Sequence, residues 1–276
     1  MAVEQAYYSK GFQKSIADTH SWRNVENSAK FVLDVLKPNF KCLDVGCGPG
    51  SITVDFANYL PEGSIIGVEP TPELIDTANQ YKLKYIETTG KKLDNVSFQD
   101  GSIYKLPFED NTFDLVHAHQ VVLHLQDPTS ALIELRRVTK PGGFVCVKDA
   151  DIDACLSAPK EYSRLGEYYK IKGRAAVSTD IFAGRNLRAK ALKAGYETSK
   201  IKTSSSHWFV ADNMEHKKLW SKAVIARIES GGERLYPDDE KKEEETKLEV
   251  INLWNKWKDD ESSVLFLPSF EITYQK

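Results

Sequence analysis

A short glycine-rich stretch carries the clearest chemical signal in the sequence. Residues 42–52 read CLDVGCGPGSI, an apolar run followed by Asp44 and by glycines at 46, 48 and 50. Glycines at this density indicate a backbone that approaches a ligand closely in conformations other residues avoid. The spacing differs from the dinucleotide fingerprint G-x-G-x-x-G because Ser51 stands where its third glycine should be. No Gly-Lys-Ser/Thr of a Walker loop follows either.

Two carboxylates indicate what this loop holds. Asp44 would repel a pyrophosphate, so it favours a ligand with an ammonium group or another positive charge. Glu69 ends the next apolar run about 20 residues later, where an acid commonly accepts hydrogen bonds from ribose hydroxyls. A ligand with an amino-acid end and a ribose end is S-adenosylmethionine. Two alternatives stay open: Asp44 caps the loop's own amides, or Glu69 is only a helix-cap or surface acid.

Strand and helix patterns alternate from residue 41 onward. Helical patterns at 51–60, from Pro72 capped by Thr71, at 127–140 and at 184–196 separate the apolar runs. Strands joined by helices pair in parallel through right-handed crossovers. We therefore predict an α/β fold, a Rossmann-like, doubly wound, mostly parallel seven-stranded sheet with helices on both faces and helical cap insertions. The predicted strands are 41–45, 64–69, 95–100, 112–119, 144–150, 204–212 and 266–275.

The 276 residues are interpreted as one domain, 1–276, with specialised parts. We predict an N-terminal helical lid, a cofactor-binding core, and two helical substrate-cap insertions: 1–37, 38–150, and 151–180 with 213–260. The charged run DDEKKEEETK in the second insertion is typical of a solvated helix face. An apolar stripe follows it and predicts packing against the domain rather than a partner interface: Leu248, Ile251, Trp254 and Trp257.

Composition excludes several classes of protein. Hydrophobic residues make up 41% of the chain and charged residues 28%, as in ordinary globular proteins. A net charge of −3 argues against a dedicated nucleic-acid binder. We expect no membrane span, because no apolar run reaches about 18 residues. We expect no signal peptide, because the N-terminus has no apolar run followed by a small-residue cleavage site. Four scattered cysteines favour a reducing, cytoplasmic location and neither a disulfide framework nor a metal site.

Several motifs occur in a family-specific order. They are LDVGCGPG, Glu69, QDGSIYKLPFEDNTFDLVHAH (99–119), LHLQDPTSALIELRRVTKPGGFV (123–145) and GRNLRAKALKAGY (184–196). This combination resembles the class I S-adenosylmethionine-dependent methyltransferases. It is most similar to the methyltransferase-11 type, which includes the ubiquinone/menaquinone-biosynthesis enzymes. The resemblance is good over 20–150, looser over 180–212 and slight elsewhere.

The resemblance implies a set of cofactor-binding residues. The glycine loop would surround the methionine part, Glu69 would hold the ribose, and the 100–102 turn would read the adenine edge. The end of the fourth strand would lie beside the methyl group, and Arg23 would reach the cofactor carboxylate from the segment HSWRNVENS. Asp100 could instead only organise its turn, and Arg23 could form a helix-end salt bridge. The full set is Arg23, Asp44, Gly46, Cys47, Gly48, Gly50, Glu69, Pro70, Asp100, Gly101, Ser102, Ala118, His119 and Gln120.

Methyl transfer from a sulfonium mainly requires alignment of the acceptor atom and exclusion of water. A general base is needed only when the acceptor arrives protonated, and histidine titrates in the right range. The candidates are His20, His117, His119 and His124. Strand alternation places His117 and His119 on one face with His119 nearer the ligand, so we predict His119 as the catalytic residue. His124 is predicted to be structural.

Aromatic residues in the lid and the first insertion are candidates for the substrate pocket. They are Tyr7, Tyr8, Phe12 and Tyr168, and they suit a hydrophobic or aromatic small molecule, although they could equally pack the caps. We predict methyl transfer to an O, S, N or C atom of a quinone-like compound or secondary metabolite, by a monomer or homodimer. The alternatives are an NAD(P)-dependent oxidoreductase, an RNA or protein methyltransferase, and an inactive S-adenosylmethionine-binding scaffold.

Overall fold

One eight-stranded sheet forms the centre of the molecule. The computed structural model describes residues 20, 22–175, 179–229 and 234–276. The strands are β1 Lys41–Val45, β2 Ser64–Glu69, β3 Val96–Asp100, β4 Phe113–His119, β5 Thr139–Ala150, β6 Leu156–Ala158, β7 Ile201–Val210 and β8 Val264–Gln275. Their order is β3-β2-β1-β4-β5-β8, with β7 on the far edge of β8. The short β6 pairs with the same edge of β8 as β5.

The predicted Rossmann-like architecture is confirmed, with one strand more than the seven predicted. All seven are present; β8 runs antiparallel to its neighbours and the other pairs are parallel. The addition, β6, lies in a segment that the sequence predicts to be helical. Three residues are too few to show strand alternation. Its Ser157 hydroxyl also bonds locally, donating to the carbonyl of Tyr162 and accepting from the amide of Gly166.

Seven α-helices lie in the described part of the chain. They are α1 Ser51–Phe56, α2 Pro72–Thr89, α3 Pro128–Val138, α4 Ser163–Ala175, α5 Ala183–Lys193, α6 Met214–Glu229 and α7 Glu240–Trp257. Asp127 caps α3 by accepting from the amide of Ser130. Thr71 is the N-cap residue of α2, as predicted, although its side chain forms no capping hydrogen bond. None of the described helices is long and apolar enough to cross a membrane.

Helices cover both faces of the sheet. On one face, α3 and α5 bury Leu132 and Leu187 against β1, β4 and β5. On the other, Phe56 of α1 and Val32 of the N-terminal segment form a second buried cluster. Full burial of a side chain of this size stabilises a fold by about 1.5–3 kcal/mol. These two layers therefore hold the central strands, and with them the loops at their ends, in fixed positions.

The N-terminal segment, here called the lid, consists of His20 and residues 22–34. Within the helical lid predicted over 1–37, it forms a π-helical turn, Val25–Ala29, and a 3-10 turn, Lys30–Asp34. The amide of Val25 donates to the carboxylate of Asp55 at 2.8 Å, which attaches the lid to α1. Residues 1–19, with the predicted substrate residues Tyr7, Tyr8 and Phe12, lie outside the described residues.

Helices α4, α6 and α7, here called the cap, pack together over β7 and β8. Their buried centre includes Trp254 and Trp257, which confirms for these two residues that the apolar stripe packs on the domain. Leu248 is 61% exposed, so the prediction was wrong for that member. The charged run forms the start of α7 and is mostly exposed. Within it, Glu243 is buried and accepts from the amides of Leu235 and Tyr236.

Candidate active site

The sheet reverses its winding between β1 and β4. In such sheets, ligands bind in the crevice at the carboxyl ends of the strands on either side of the reversal. Both β2 and β4 pair in parallel with β1. The glycine loop after β1, Glu69 at the end of β2 and His119 at the end of β4 therefore come to the same edge of the sheet.

The glycine loop is shaped by three left-handed residues. Gly46, Gly48 and Gly50 have φ of 70°, 53° and 78°, a region that side chains rarely tolerate. A Cβ on Gly46 would lie 2.5 Å from Val121, and one on Gly50 would lie 2.7 Å from Phe98. A Cβ on Gly48 would meet no described atom within 4 Å. Of the three glycines, Gly48 therefore faces the open space into which a ligand can fit.

Asp44 is held by buried partners on two other elements. It is 3% exposed, and its carboxylate accepts from the Thr53 hydroxyl of α1 at 2.5 Å. The other carboxylate oxygen lies 2.8 Å from Nδ1 of His117, its register partner on β4. Asp44 also lines the cavity. These partners are side chains of α1 and β4. They are not the loop amides that Asp44 would cap in the alternative interpretation. Asp44 therefore stabilises the fold and also places a carboxylate in the cavity wall.

Glu69 joins the second strand to the glycine loop. Its carboxylate accepts from the amide of Gly48 at 3.2 Å and from that of Thr71 at 3.3 Å. Glu69 and Pro70 both line the cavity. Asp100 is the register partner of Glu69, but it is exposed and lies outside the cavity lining, together with Gly101 and Ser102. Ile103 provides the lining at this edge instead.

One cavity of about 360 Å³ connects the strand ends to the lid and the cap. Its cofactor end is defined by the loops after β1 and β2, with Asp44, Gly46, Cys47, Gly48, Glu69 and Pro70. Its acceptor end is defined by the lid, the cap and the strands below them, with His20, Trp22, Arg23, Tyr169, Trp208 and Arg227. The predicted cofactor residues Arg23 and Asp44 thus line the same cavity.

Three further predicted residues sit at or near the cofactor end. Cys47 lines it as a half-buried thiol, and burial raises the pKa of that thiol well above its usual value, which keeps it protonated. Ala118 is fully buried between Val45 and Val147 in the sheet and does not reach the cavity. Gln120 reaches it, and its buried Nε2 has no hydrogen-bond partner among the described residues.

His119, the predicted catalytic residue, lines the same cavity. It is 6% exposed, and neither ring nitrogen has a hydrogen-bond partner in the described part of the chain. Its ring stacks on that of His117, with centroids 6.4 Å apart, as strand alternation predicts. Burial, followed by the charges of Arg23 and Lys148, holds the pKa of His119 well below its usual value. The imidazole is therefore neutral at pH 7, with a nitrogen available to accept a proton.

The acceptor end differs in part from prediction. Tyr168, predicted to contact substrate, is 3% exposed inside the cap cluster and does not line the cavity; its neighbour Tyr169 does. His124, predicted to be structural, lines the cavity, and Thr179 lies 3.5 Å from its Nδ1. His20 lines it as well, and burial lowers the pKa of that imidazole.

Several lining residues were missed by sequence reasoning. They are Trp22, Trp208 and Trp220, whose rings form a T-shaped cluster with centroids 5.4 to 6.2 Å apart. Trp22 precedes Arg23 in a segment already assigned to the site, so a signal for it was available. The other two lie in β7 and α6, where the sequence does not reveal which face is turned to the cavity.

A Rossmann-like sheet with these elements around one cavity is the arrangement expected of a class I S-adenosylmethionine-dependent methyltransferase. The chain belongs to the methyltransferase family, since a family model described as a methyltransferase domain matches residues 36–227. It is 44% identical to an uncharacterised methyltransferase of Schizosaccharomyces pombe, over 99% of this chain and 98% of that protein. It is 35% identical to a probable methyltransferase of Aspergillus luteorubrus, over 51% of each chain.

Solved structures show the same fold. The YcgJ protein of Bacillus subtilis superposes with a TM-score of 0.53 at 17% identity, covering 90% of this chain and 96% of that one. Membership of the family makes S-adenosylmethionine the cofactor and disfavours the oxidoreductase alternative. The residues present fit this cofactor, because Gly48 leaves open space beside the Glu69 carboxylate and Gln120 offers an unpartnered amide.

Alanine substitutions in the loop should separate cofactor binding from stability. Gly50→Ala should lower the free energy of unfolding by about 2–4 kcal/mol, because strain adds to the clash with Phe98. Gly48→Ala should cost only about 1 kcal/mol in stability but weaken S-adenosylhomocysteine binding at least about tenfold, because its Cβ enters the cofactor space. Urea unfolding and calorimetry measure the two quantities. Unchanged cofactor affinity in Gly48→Ala would contradict this placement.

Removing Asp44 should destabilise the fold, because its carboxylate accepts from buried partners on α1 and β4. Asp44→Ala leaves the Thr53 hydroxyl and the His117 N–H buried without their acceptor, at about 1–3 kcal/mol each. Asp44→Asn retains one acceptor and should lose less. Asp76→Ala, at an exposed position of α2, is the matched control and should change stability by less than about 0.5 kcal/mol. Urea unfolding without ligand tests this, and an Asp44→Ala midpoint equal to wild type would refute it.

Proposed function

We propose that this methyltransferase transfers a methyl group to the oxygen or sulfur of a small molecule, with His119 as general base. The observation that carries the proposal is the state of His119: buried in the cavity, neutral, and with both ring nitrogens unpartnered among the described residues. A buried polar group without a partner in a cavity commonly awaits a ligand. A neutral imidazole has one nitrogen that can accept a hydrogen bond from a hydroxyl or thiol group of the ligand.

The cofactor and the side chains of the protein have separate roles in the proposed reaction. The bound cofactor supplies an electrophilic methyl group on a positively charged sulfur. His119 accepts the proton of the acceptor hydroxyl or thiol as that atom becomes nucleophilic. The lid and the cap hold the acceptor in place and exclude water, which supplies much of the rate enhancement in such reactions. We assign Arg23, which lines the cavity, to the cofactor carboxylate, as the family resemblance implies.

Cavity size supports a small acceptor. A volume of about 360 Å³ lies in the range of about 300–1,000 Å³ that is usual for small-molecule sites. The lid reinforces this point because it covers the site: the Trp22 indole donates to Nε2 of His216 on α6 at 3.0 Å. A folded RNA or protein would have to displace both elements to reach His119. We therefore propose the lid and the cap as the substrate-selecting parts of the chain.

Labelling identifies the acceptor class directly. The purified protein is incubated with methyl-labelled S-adenosylmethionine and an extract of Schizosaccharomyces pombe, the source of the 44% identical relative. We expect label in the metabolite fraction, in one compound whose mass rises by one methyl group. Label confined to RNA or protein would contradict a small-molecule acceptor. Binding of S-adenosylhomocysteine with no label in any fraction would indicate the inactive scaffold.

The activity should depend on His119 in a pH-specific manner. Because its pKa is lowered, His119 takes up a proton only below the usual histidine value of about 6.5, so kcat/KM should be flat near neutrality and fall at acidic pH. His119→Gln should reduce kcat about 10²–10⁴-fold, while S-adenosylhomocysteine affinity is largely retained. His207→Gln, at an exposed position of β7, is the control and should keep wild-type activity. Wild-type kcat in His119→Gln would show that the acceptor needs no base.

A further inference from the structure

Gln120, which directly follows β4, has a backbone conformation that is unusual for its residue type. Its φ is 54°, and the only other non-glycine residue with a positive φ in the described part of the chain is Asn111. Asparagine tolerates a left-handed backbone, whereas glutamine adopts it at a cost in energy. The amide of Gln120 donates to the carbonyl of Lys148 at 2.7 Å, which holds this peptide in place. Strained residues of this kind cluster at sites that hold ligands.

The turn at Gln120 brings two consecutive side chains into one cavity. Successive residues of a strand point to opposite faces of the sheet, but His119 and Gln120 both line the cavity. The left-handed backbone accounts for this, because it ends the strand alternation at Gln120. Consecutive Cα atoms lie only about 3.8 Å apart. A ligand that contacts both side chains must therefore carry two polar atoms close together.

The two side chains offer complementary hydrogen-bonding groups. Nε2 of Gln120 is buried and has no hydrogen-bond partner among the described residues, and the same holds for both ring nitrogens of His119. A side-chain amide nitrogen carries two N–H donors, so a contact with the cofactor still leaves one donor for a second ligand. A neutral imidazole has one accepting nitrogen. Together they suit a ligand with a hydroxyl group beside a second, accepting oxygen.

Aromatic carbon surface lies next to this pair. The ring centroids of Trp208 and His119 are 5.8 Å apart. The Trp208 indole N–H donates to the carbonyl of Asn27 at 2.9 Å, and that of Trp22 donates to His216. Neither of these acceptors lines the cavity. The two indoles therefore present carbon surface to a ligand, and a flat ring packs well on such a surface.

We propose that the methyl acceptor is a phenol with a second oxygen on the adjacent ring carbon, and that Gln120 selects it by donating a hydrogen bond to that oxygen. This rests on the proposed function and specifies its substrate class. The reacting hydroxyl loses its proton to His119 and forms its bond to the methyl group as the bond between that methyl and the cofactor sulfur breaks. A phenol without the adjacent oxygen leaves the Gln120 donor buried without a partner, which lowers affinity.

Positional isomers test this on the full chain with saturating S-adenosylhomocysteine. Calorimetry compares catechol with resorcinol and pyrogallol with phloroglucinol. Within each pair the atoms are the same, and only the first compound has oxygens on adjacent carbons. We expect the compound with adjacent oxygens to bind about tenfold more tightly, the effect of satisfying one donor that is otherwise buried without a partner.

Three variants assign this preference to a side chain. Gln120→Met removes the amide at a similar side-chain length and should lose the preference for adjacent oxygens. Gln120→Gly also removes it but relieves the left-handed backbone, so the preference should be lost while the urea unfolding midpoint does not fall. Gln80→Met, at an exposed position of α2, is the matched control and should keep the wild-type preference.

The outcomes separate this proposal from the proposed function. Equal binding of the isomers, no binding of catechol or pyrogallol to protein that holds S-adenosylhomocysteine, or a preference that persists in either Gln120 variant overturns the assignment. Loss of S-adenosylhomocysteine binding in a folded Gln120→Gly protein also overturns it, because the amide then belongs to the cofactor. Failure of the wild-type protein to bind S-adenosylhomocysteine overturns the proposed function itself. A preference lost in variants that still bind S-adenosylhomocysteine supports the proposal.

Discussion

The buried bond between Asp44 and His117 is the interaction on which the site depends. It joins the first strand to the fourth across the point where the sheet reverses, and Thr53 ties the same carboxylate to α1. A buried carboxylate is costly without hydrogen-bond partners, so this arrangement favours a single relative position of these three elements. The glycine loop begins two residues after Asp44, and His119 lies two residues after His117. Their relative placement follows from this bond.

Burial then determines the chemistry at the end of β4. His119 lies under the lid and beside cations from two directions, so its charged form is disfavoured twice, by desolvation and by repulsion. The carboxylates of Asp44 and Glu69, which line the same cavity, suit a cofactor with a positively charged sulfur and a ribose. The cavity therefore combines a neutral imidazole with two acidic side chains.

The sequence predicted the strands, and the loops after β1 and β2 as cavity lining, because both depend on local signals. Apolar runs, glycines and an acid at the end of β2 are visible within a few residues. The acceptor end depends on how the cap helices are rotated. Tyr168 and Tyr169 are adjacent, but successive residues of an α-helix are rotated by about 100° around its axis. As a result, the Tyr168 side chain is buried and the Tyr169 side chain lines the cavity. That rotation is set by packing around Trp254, which is distant in sequence, and no local pattern reveals it.

Hydrogen bonds between residues far apart in the chain could not be predicted from the sequence either. His117 was predicted to share a face with His119, but its bond to Asp44 follows from a parallel register between residues 73 positions apart. Leu248 is exposed for a related reason. A helical stripe in the sequence predicts an apolar face, but it does not show how much of that face other elements of the fold cover. Long-range packing therefore accounts for most of what differs between prediction and structure.

A crystal structure of the complex with S-adenosylhomocysteine tests the account most directly. The account predicts the ribose hydroxyls on the Glu69 carboxylate, the amino-acid part of the cofactor packed against Gly48, and the thioether sulfur facing His119. A cofactor whose ribose lay away from Glu69, with His119 remote from the sulfur, would contradict it.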